Sequence, residues 1–183
     1  MKTNLLLFSF LFILLSAVGS FAQKAKIESI YTSLDTKNCK TLEQSDEGSG
    51  WYRGECKGVG GYRLQVTEGD IRQSIDVIAP NKKKFELDLI GNVSLAFSFV
   101  GAKAEWCGVR KNKKFMPTAL IVRFSANENS SEPTKTTSYL VVAKITKTEI
   151  CITDVIKPTA KANEEARKLA DSASTKSCKS SRN

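Results

Sequence analysis

The chain has 183 residues, 28 of them Lys or Arg against 19 Asp or Glu, and it contains no histidine. Without histidine there is no Ser-His-Asp or Cys-His nucleophile pair, and the commonest metal ligand and the usual near-neutral general base are missing. The five cysteines show no C-x-x-C spacing, which excludes the ordinary zinc and thioredoxin-like arrangements.

The N-terminus has the pattern of an export leader. Lys2 supplies a positive charge, Leu5 to Leu15 is apolar apart from Ser9, and Ser20-Phe21-Ala22 places small side chains where signal peptidase cuts. Residues 1–22 are therefore expected to be removed, leaving a single domain over 23–183 in the periplasm or outside the cell. The apolar run is shorter than the ~20 residues of a membrane span. Nothing after Ala22 is apolar enough to cross a bilayer.

The rest reads as short strands with turn punctuation. Ala25 to Leu34 is a first strand, and the polar stretch Asp35 to Gly50 is a loop or broken strand. Trp51 to Lys57 is a strand ended by Gly58-Val59-Gly60-Gly61. Tyr62, Leu64 and Val66 alternate with polar residues as a half-buried strand does. Glu68-Gly69-Asp70 is read as a hairpin turn, with Ile71, Ile75 and Val77 on the return strand. Asn81 to Lys84 is a basic loop. Phe85, Leu87 and Leu89 alternate up to Gly91-Asn92, which suits a tight hairpin turn because both residues tolerate positive φ. Leu95, Phe97 and Phe99 then line one face of a strand. Ala104 to Val109 precedes a second basic loop, Arg110 to Lys114, and Ala119 to Phe124 is a central strand. Ser125 to Thr137 is a polar loop. Tyr139 to Ile145 and Glu149 to Ile156 form a hairpin around Thr146-Lys147-Thr148. After Pro158, Ala162, Ala166, Leu169, Ala170 and Ala173 recur at helical spacing, with Thr159 or Asn163 as cap. Glu164 and Glu165 suit the positive end of the helix dipole. The expected fold is mainly β (α+β): an antiparallel sheet or small open barrel of about eight strands with one C-terminal helix docked on it.

Cysteines outside the cytosol oxidise and stay paired. Cys39 with Cys56 and Cys151 with Cys178 are the expected disulfides, each closing a short stretch of chain, and Cys107 is left as a free thiol. Spacing does not by itself fix connectivity, so other pairings stay open.

Candidate carboxylates for glycosidase-type chemistry are Asp70, Asp76, Asp88 and Glu105, with a solvated strand face as the alternative reading of Asp76 and Asp88. The glycine-rich Gly58 to Gly61 lacks the Lys-Ser/Thr of a P-loop; it is a turn, or at most a backbone anion nest beside Arg53 and Arg63. The best contact candidates are the two basic clusters, Lys82, Lys83 and Lys84, and Arg110, Lys111, Lys113 and Lys114. They would make one positive patch if their loops share an end of the sheet. Trp51, Tyr52, Tyr62 and Trp106 are aromatics able to stack on a ligand, although aromatics of this size more often build the core. No cofactor and no metal is expected.

Trp51-Tyr52-Arg53-Gly54-Glu55-Cys56, Gly60-Gly61-Tyr62, Glu68-Gly69-Asp70-Ile71-Arg72-Gln73-Ser74, Ala104-Glu105-Trp106 and Lys161-Ala162-Asn163 with Ala166-Arg167 and Ala170-Asp171 together resemble a group of small exported bacterial proteins without an assigned function. The resemblance spans most of the expected mature chain and implies export but no activity. Relatives usually place an Arg after the Trp corresponding to Trp106, where this chain has Cys107. A shorter stretch, Ser49-Gly50-Trp51-Tyr52, is similar to the Ser-Gly loop of periplasmic lysozyme inhibitors, which are small disulfide-bonded β-barrels. Removing Lys2 with the leader leaves a net charge of +8. That charge favours acidic partners and would repel a cationic lysozyme. The expected function is a non-catalytic binding module for an anionic envelope component or protein, with a lysozyme inhibitor as the alternative. Nucleic acid is not an expected partner.

Overall fold

The computed structural model describes residues 27–45, 50–129, 131–132 and 134–180, so the leader expected over 1–22 and Ser49 lie outside the described residues. β1 (Glu28–Ser33) leads into a 3-10 turn at Thr36–Asn38, capped by the Asp35 carboxylate, which accepts from the Lys37 amide. β2 (Lys40–Gln44), β3 (Tyr52–Lys57), β4 (Arg63–Gly69) and β5 (Arg72–Ile78) form a meander, and the short β6 (Lys84–Glu86) adds to β5. α1 (Leu89–Asn92) is a single helical turn. β7 (Ser98–Lys111) and β8 (Lys114–Ala126) make a long hairpin, β9 (Thr137–Ile145) and β10 (Ile150–Ile156) a second one, and α2 (Ala162–Ala170) follows.

The strands form one open 10-stranded sheet, ordered β10-β9-β8-β7-β5-β4-β3-β2, with β1 on β7 and β6 on β5. Every ladder is antiparallel except where β5 meets β7, a single parallel bridge between Arg72 and Ser98. Beyond that bridge the two strands part. The halves turn their apolar faces towards each other, so that β6 approaches β10 and β1 approaches β3. Leu64, Val66, Ile75 and Val77 of one half meet Trp106, Leu120, Val122, Phe124, Val141 and Ile152 of the other in the main core.

Strands β8 and β9 bury both faces, which is why they read as continuous apolar runs and not as alternating ones. Their outer face carries Ala119, Ile121, Leu140 and Val142, covered by Ala162, Ala166 and Ala170 of α2 and Ala173 beyond it. A helix with an alanine stripe buries little area, but its backbone can lie close to the sheet. Disulfides join Cys39 to Cys56 and Cys151 to Cys178, while Cys107 is a buried free thiol. No helix among the described residues is long and apolar enough to cross a membrane.

Several local expectations are corrected. Of the two readings of the polar stretch after Asp35, the broken strand holds, as the edge strand β2, and with the short β6 the sheet of about eight expected strands has ten. Gly91-Asn92 is not a hairpin turn. Asp88 takes a left-handed conformation (φ 46°) and its carboxylate accepts from the Gly91 amide, which winds the chain into α1 and sends Leu87 and Leu89 both into the core. Leu95 and Phe97 do not share a strand face with Phe99: they precede β7, which begins at Ser98, and all three are exposed. Ile71 is not on the return strand but forms the β4–β5 turn with Asp70, at φ 57° and 49° respectively. Arg110 to Lys114 is a tight hairpin with only Asn112 and Lys113 in the turn, at φ 52° and 63°. Neither Thr159 nor Asn163 caps α2; Lys161 occupies that position without a side-chain bond.

Candidate functional site

Strand direction decides where the basic loops fall. Strands β3, β5, β7 and β9 all run the same way, because antiparallel neighbours alternate and β5 and β7 meet in parallel. The turns that follow these four strands therefore share one end of the sheet. That end carries Lys82 and Lys83 after β5, the Arg110–Lys114 hairpin after β7, Gly58 to Gly61 after β3 and Lys147 after β9.

Not all of these cations are available to a partner. Lys84 is bonded to Asp76 at 3.1 Å and to Glu86 at 2.8 Å, and Arg110 to Glu28 at 2.8 Å. Lys83 lies over the Phe85 ring. Lys82, Lys111, Lys113, Lys114 and Lys147 are exposed and make no ion pair among the described residues.

These turns surround a cavity of about 380 Å³ lined by Gly60, Tyr62, Pro80, Phe115, Met116, Pro117, Ile145 and Lys147, among others. Gly60 and Gly61 sit at φ 60° and 85°, a backbone region that glycine enters without penalty, and the turn brings Gly60 against the Phe115 carbonyl and the Pro117 ring. The turn is thus a strand connection that also forms a cavity wall. Arg53 and Arg63 are engaged elsewhere, with Glu43 and Glu55. The lining residues Met116, Pro80 and Lys147 had no sequence signal of their own, since only the topology converges their turns.

Trp51 and Tyr52 lie at the opposite end, where β3 begins, and so are not brought to the basic turns. Together with Gly50, Lys37, Gln44 and Glu68 they line a separate cleft of about 550 Å³, and Trp51 is 47% exposed. Trp106 is fully buried, with Tyr62 packed on it at a centroid distance of 6.0 Å.

The candidate carboxylates stay apart. Asp70 holds Arg72, Asp76 holds Lys84 and Asp88 caps α1. Asp76 is buried, not on a solvated face, and burial pushes its carboxyl above the usual range despite Lys84. Glu105 sits under α2, accepting from Arg167 at 2.7 and 3.3 Å and from Ser29 at 2.6 Å. Arg167 also donates to the Tyr31 hydroxyl at 2.8 Å. Burial raises the Glu105 carboxyl, but the bonds from Arg167, Ser29 and Tyr31 outweigh it, and the group ionises below its ordinary value. Its contribution to stability is therefore complete above the unfolded value, near ~4.3, and is lost as pH falls through the folded one. In Arg167→Leu the strongest of the three bonds is gone and burial is opposed only by Ser29 and Tyr31, so the Glu105 carboxyl rises relative to wild type. That variant is expected to be about 1–3 kcal/mol less stable near neutrality, below the figure for a fully buried pair because Arg167 is half exposed. Its deficit should shrink as denaturant melts are moved from about pH 7 to about pH 4; a deficit independent of pH would refute the assignment.

Burial also pushes the Cys107 thiol up to about 11, against a weaker opposing contact from Ser29, so it stays protonated and inert. Its burial leaves it unsuited to linking two chains. Glu149 lies beside Cys151 and Cys178, but their sulfurs are bonded to each other and do not serve as thiolate ligands. No protein-family model, curated protein or solved structure matches the chain.

Proposed function

We propose that the chain is a non-catalytic, exported binding module whose basic end engages an anionic envelope component or protein. The shared direction of β3, β5, β7 and β9, which gathers otherwise scattered lysines on one end, is the observation that carries this reading. Two disulfides fit an oxidising compartment. Missing histidine and separated carboxylates leave little for catalysis.

The test reverses the unpaired lysines only, since Lys84 and Arg110 support local structure. A K82E/K111E/K113E/K114E variant is expected to bind an immobilised sulfated glycan at least about tenfold more weakly at ~0.1 M ionic strength, and wild-type retention should fall steeply with salt. Equal elution of the two proteins would overturn the reading.

A second reading, inhibition of a cell-wall hydrolase, is favoured by one feature: the exposed Trp51 beside the Gly50–Tyr52 cleft. The cleft lies away from the basic turns, which weakens the charge argument against a cationic lysozyme. Failure of the purified protein to slow lysozyme in a turbidity assay would exclude it.

A further inference from the structure

We propose that the cavity at the basic end binds a single-chain lipid with an anionic head. The proposal rests on the reading of that end as an anion-binding surface and names the ligand class. At about 380 Å³ the cavity is within the range of small-molecule sites, roughly 300–1,000 Å³. Its walls are mostly hydrocarbon: Pro80, Val109, Phe115, Met116, Pro117 and Ile145. Met116 is 47% exposed, between the half-buried Phe115 and Pro117 at the start of its strand. Apolar surface left in water at a concave site is what a hydrocarbon ligand covers.

The polar groups of the cavity separate a lipid chain from a peptide. The Thr118 hydroxyl donates to the Cys107 carbonyl and the Thr146 hydroxyl to the Glu149 carbonyl. An inserted peptide would bring backbone donors and acceptors that these walls do not satisfy, whereas a methylene chain brings none. Charge comes from the turns around the cavity. Lys147 lines the cavity itself, and the turns that supply Pro80 and Phe115 carry Lys82 two residues beyond the first and Lys113 and Lys114 directly before the second. The Tyr62 hydroxyl makes no hydrogen bond to a described residue, so one neutral donor is also available for the head group. A lipid therefore has its chain against the apolar wall and its head among the lysines.

The experiment is calorimetric titration of the mature chain with dodecyl phosphate below its micelle concentration. Dodecyl maltoside and inorganic phosphate are the comparison ligands. Saturable one-to-one binding of dodecyl phosphate is expected, with the maltoside at least about tenfold weaker and no measurable heat from phosphate alone. Met116→Gln, a neutral change at an exposed position, should weaken dodecyl phosphate about tenfold while keeping the wild-type melting temperature and sulfated-glycan retention; Lys147→Glu should weaken both ligands. Dodecyl phosphate that fails to bind while glycan retention persists overturns the lipid site and spares the anion-binding reading. Loss of both overturns both. Equal binding of the phosphate and maltoside, or unchanged binding by Met116→Gln, also overturns the proposal.

Discussion

Replacing Trp106 with alanine should cost the protein about 3–5 kcal/mol of folding stability, a large share of the ~5–15 kcal/mol that holds an ordinary domain together. The side chain is completely buried where the two halves of the sheet meet. It is fixed on three sides. The indole Nε1 donates to the Thr32 hydroxyl of β1 at 2.9 Å, the Tyr62 ring packs on it at 43°, and the backbone of Gly58 lies so close that a Cβ there would fall 2.8 Å from the indole Cζ2. Truncation leaves a cavity that rigid strands on both sides cannot fill, and it orphans a hydroxyl. The melting temperature should drop by on the order of 10 °C. Trp106→Phe, which keeps most of the volume and loses the hydrogen bond, should recover more than half of the loss. A scan in which Trp106→Ala melts within about 2 °C of wild type would mean that the halves are not held together here.

The second large effect concerns the disulfides. A C151S/C178S variant is expected to lose about 3–4 kcal/mol, because the bridge closes a 27-residue separation and removes that loop's freedom from the unfolded chain. The bridge has local support. The Lys179 amide donates to the Ile152 carbonyl at 2.7 Å, Lys176 binds Asp154, and the buried Lys144 reaches the Lys176 carbonyl at 2.9 Å. The helix that precedes it buries mostly alanine, so α2 docks weakly on its own and depends on this anchor. The C39S/C56S variant, with a 17-residue separation, should lose slightly less, about 3 kcal/mol. Denaturant midpoints of each variant, compared with wild type at fixed pH, give the answer. A midpoint unchanged in C151S/C178S would show that the tail stays docked without its covalent tie.

The fold class was legible because the strong signals were local. Alternation marked β4, apolar runs marked β8 and β9, and alanines at helical spacing marked α2. Strand β2 was hidden because an exposed edge strand needs no apolar residues; all five of its residues are exposed. The segment from Phe85 to Phe99 misled for a different reason. Its alternation is genuine, but a left-handed Asp88 breaks the strand period, after which Leu95 and Phe97 face water. No pattern in the sequence announces a positive φ at an aspartate. Sequence spacing picked out Cys39–Cys56 and Cys151–Cys178 because each pair flanks adjacent elements. The basic clusters were visible as composition, yet their convergence depends on the parallel meeting of β5 and β7, a long-range fact that no local spacing encodes. That Lys84 and Arg110 are tied to Asp76, Glu86 and Glu28 was likewise invisible.

The lone parallel rung between Arg72 and Ser98 bears on tuning. One backbone clasp at the far edge sets no spacing at the mouth between Pro80 and Met116, so interior side chains act as the shims that hold the two leaves of the sheet apart. Changing the girth of Val77, Leu120 or Ile145 would reshape the opening from within. Selectivity at the lysine-rimmed mouth can therefore drift through substitutions that no ligand ever touches.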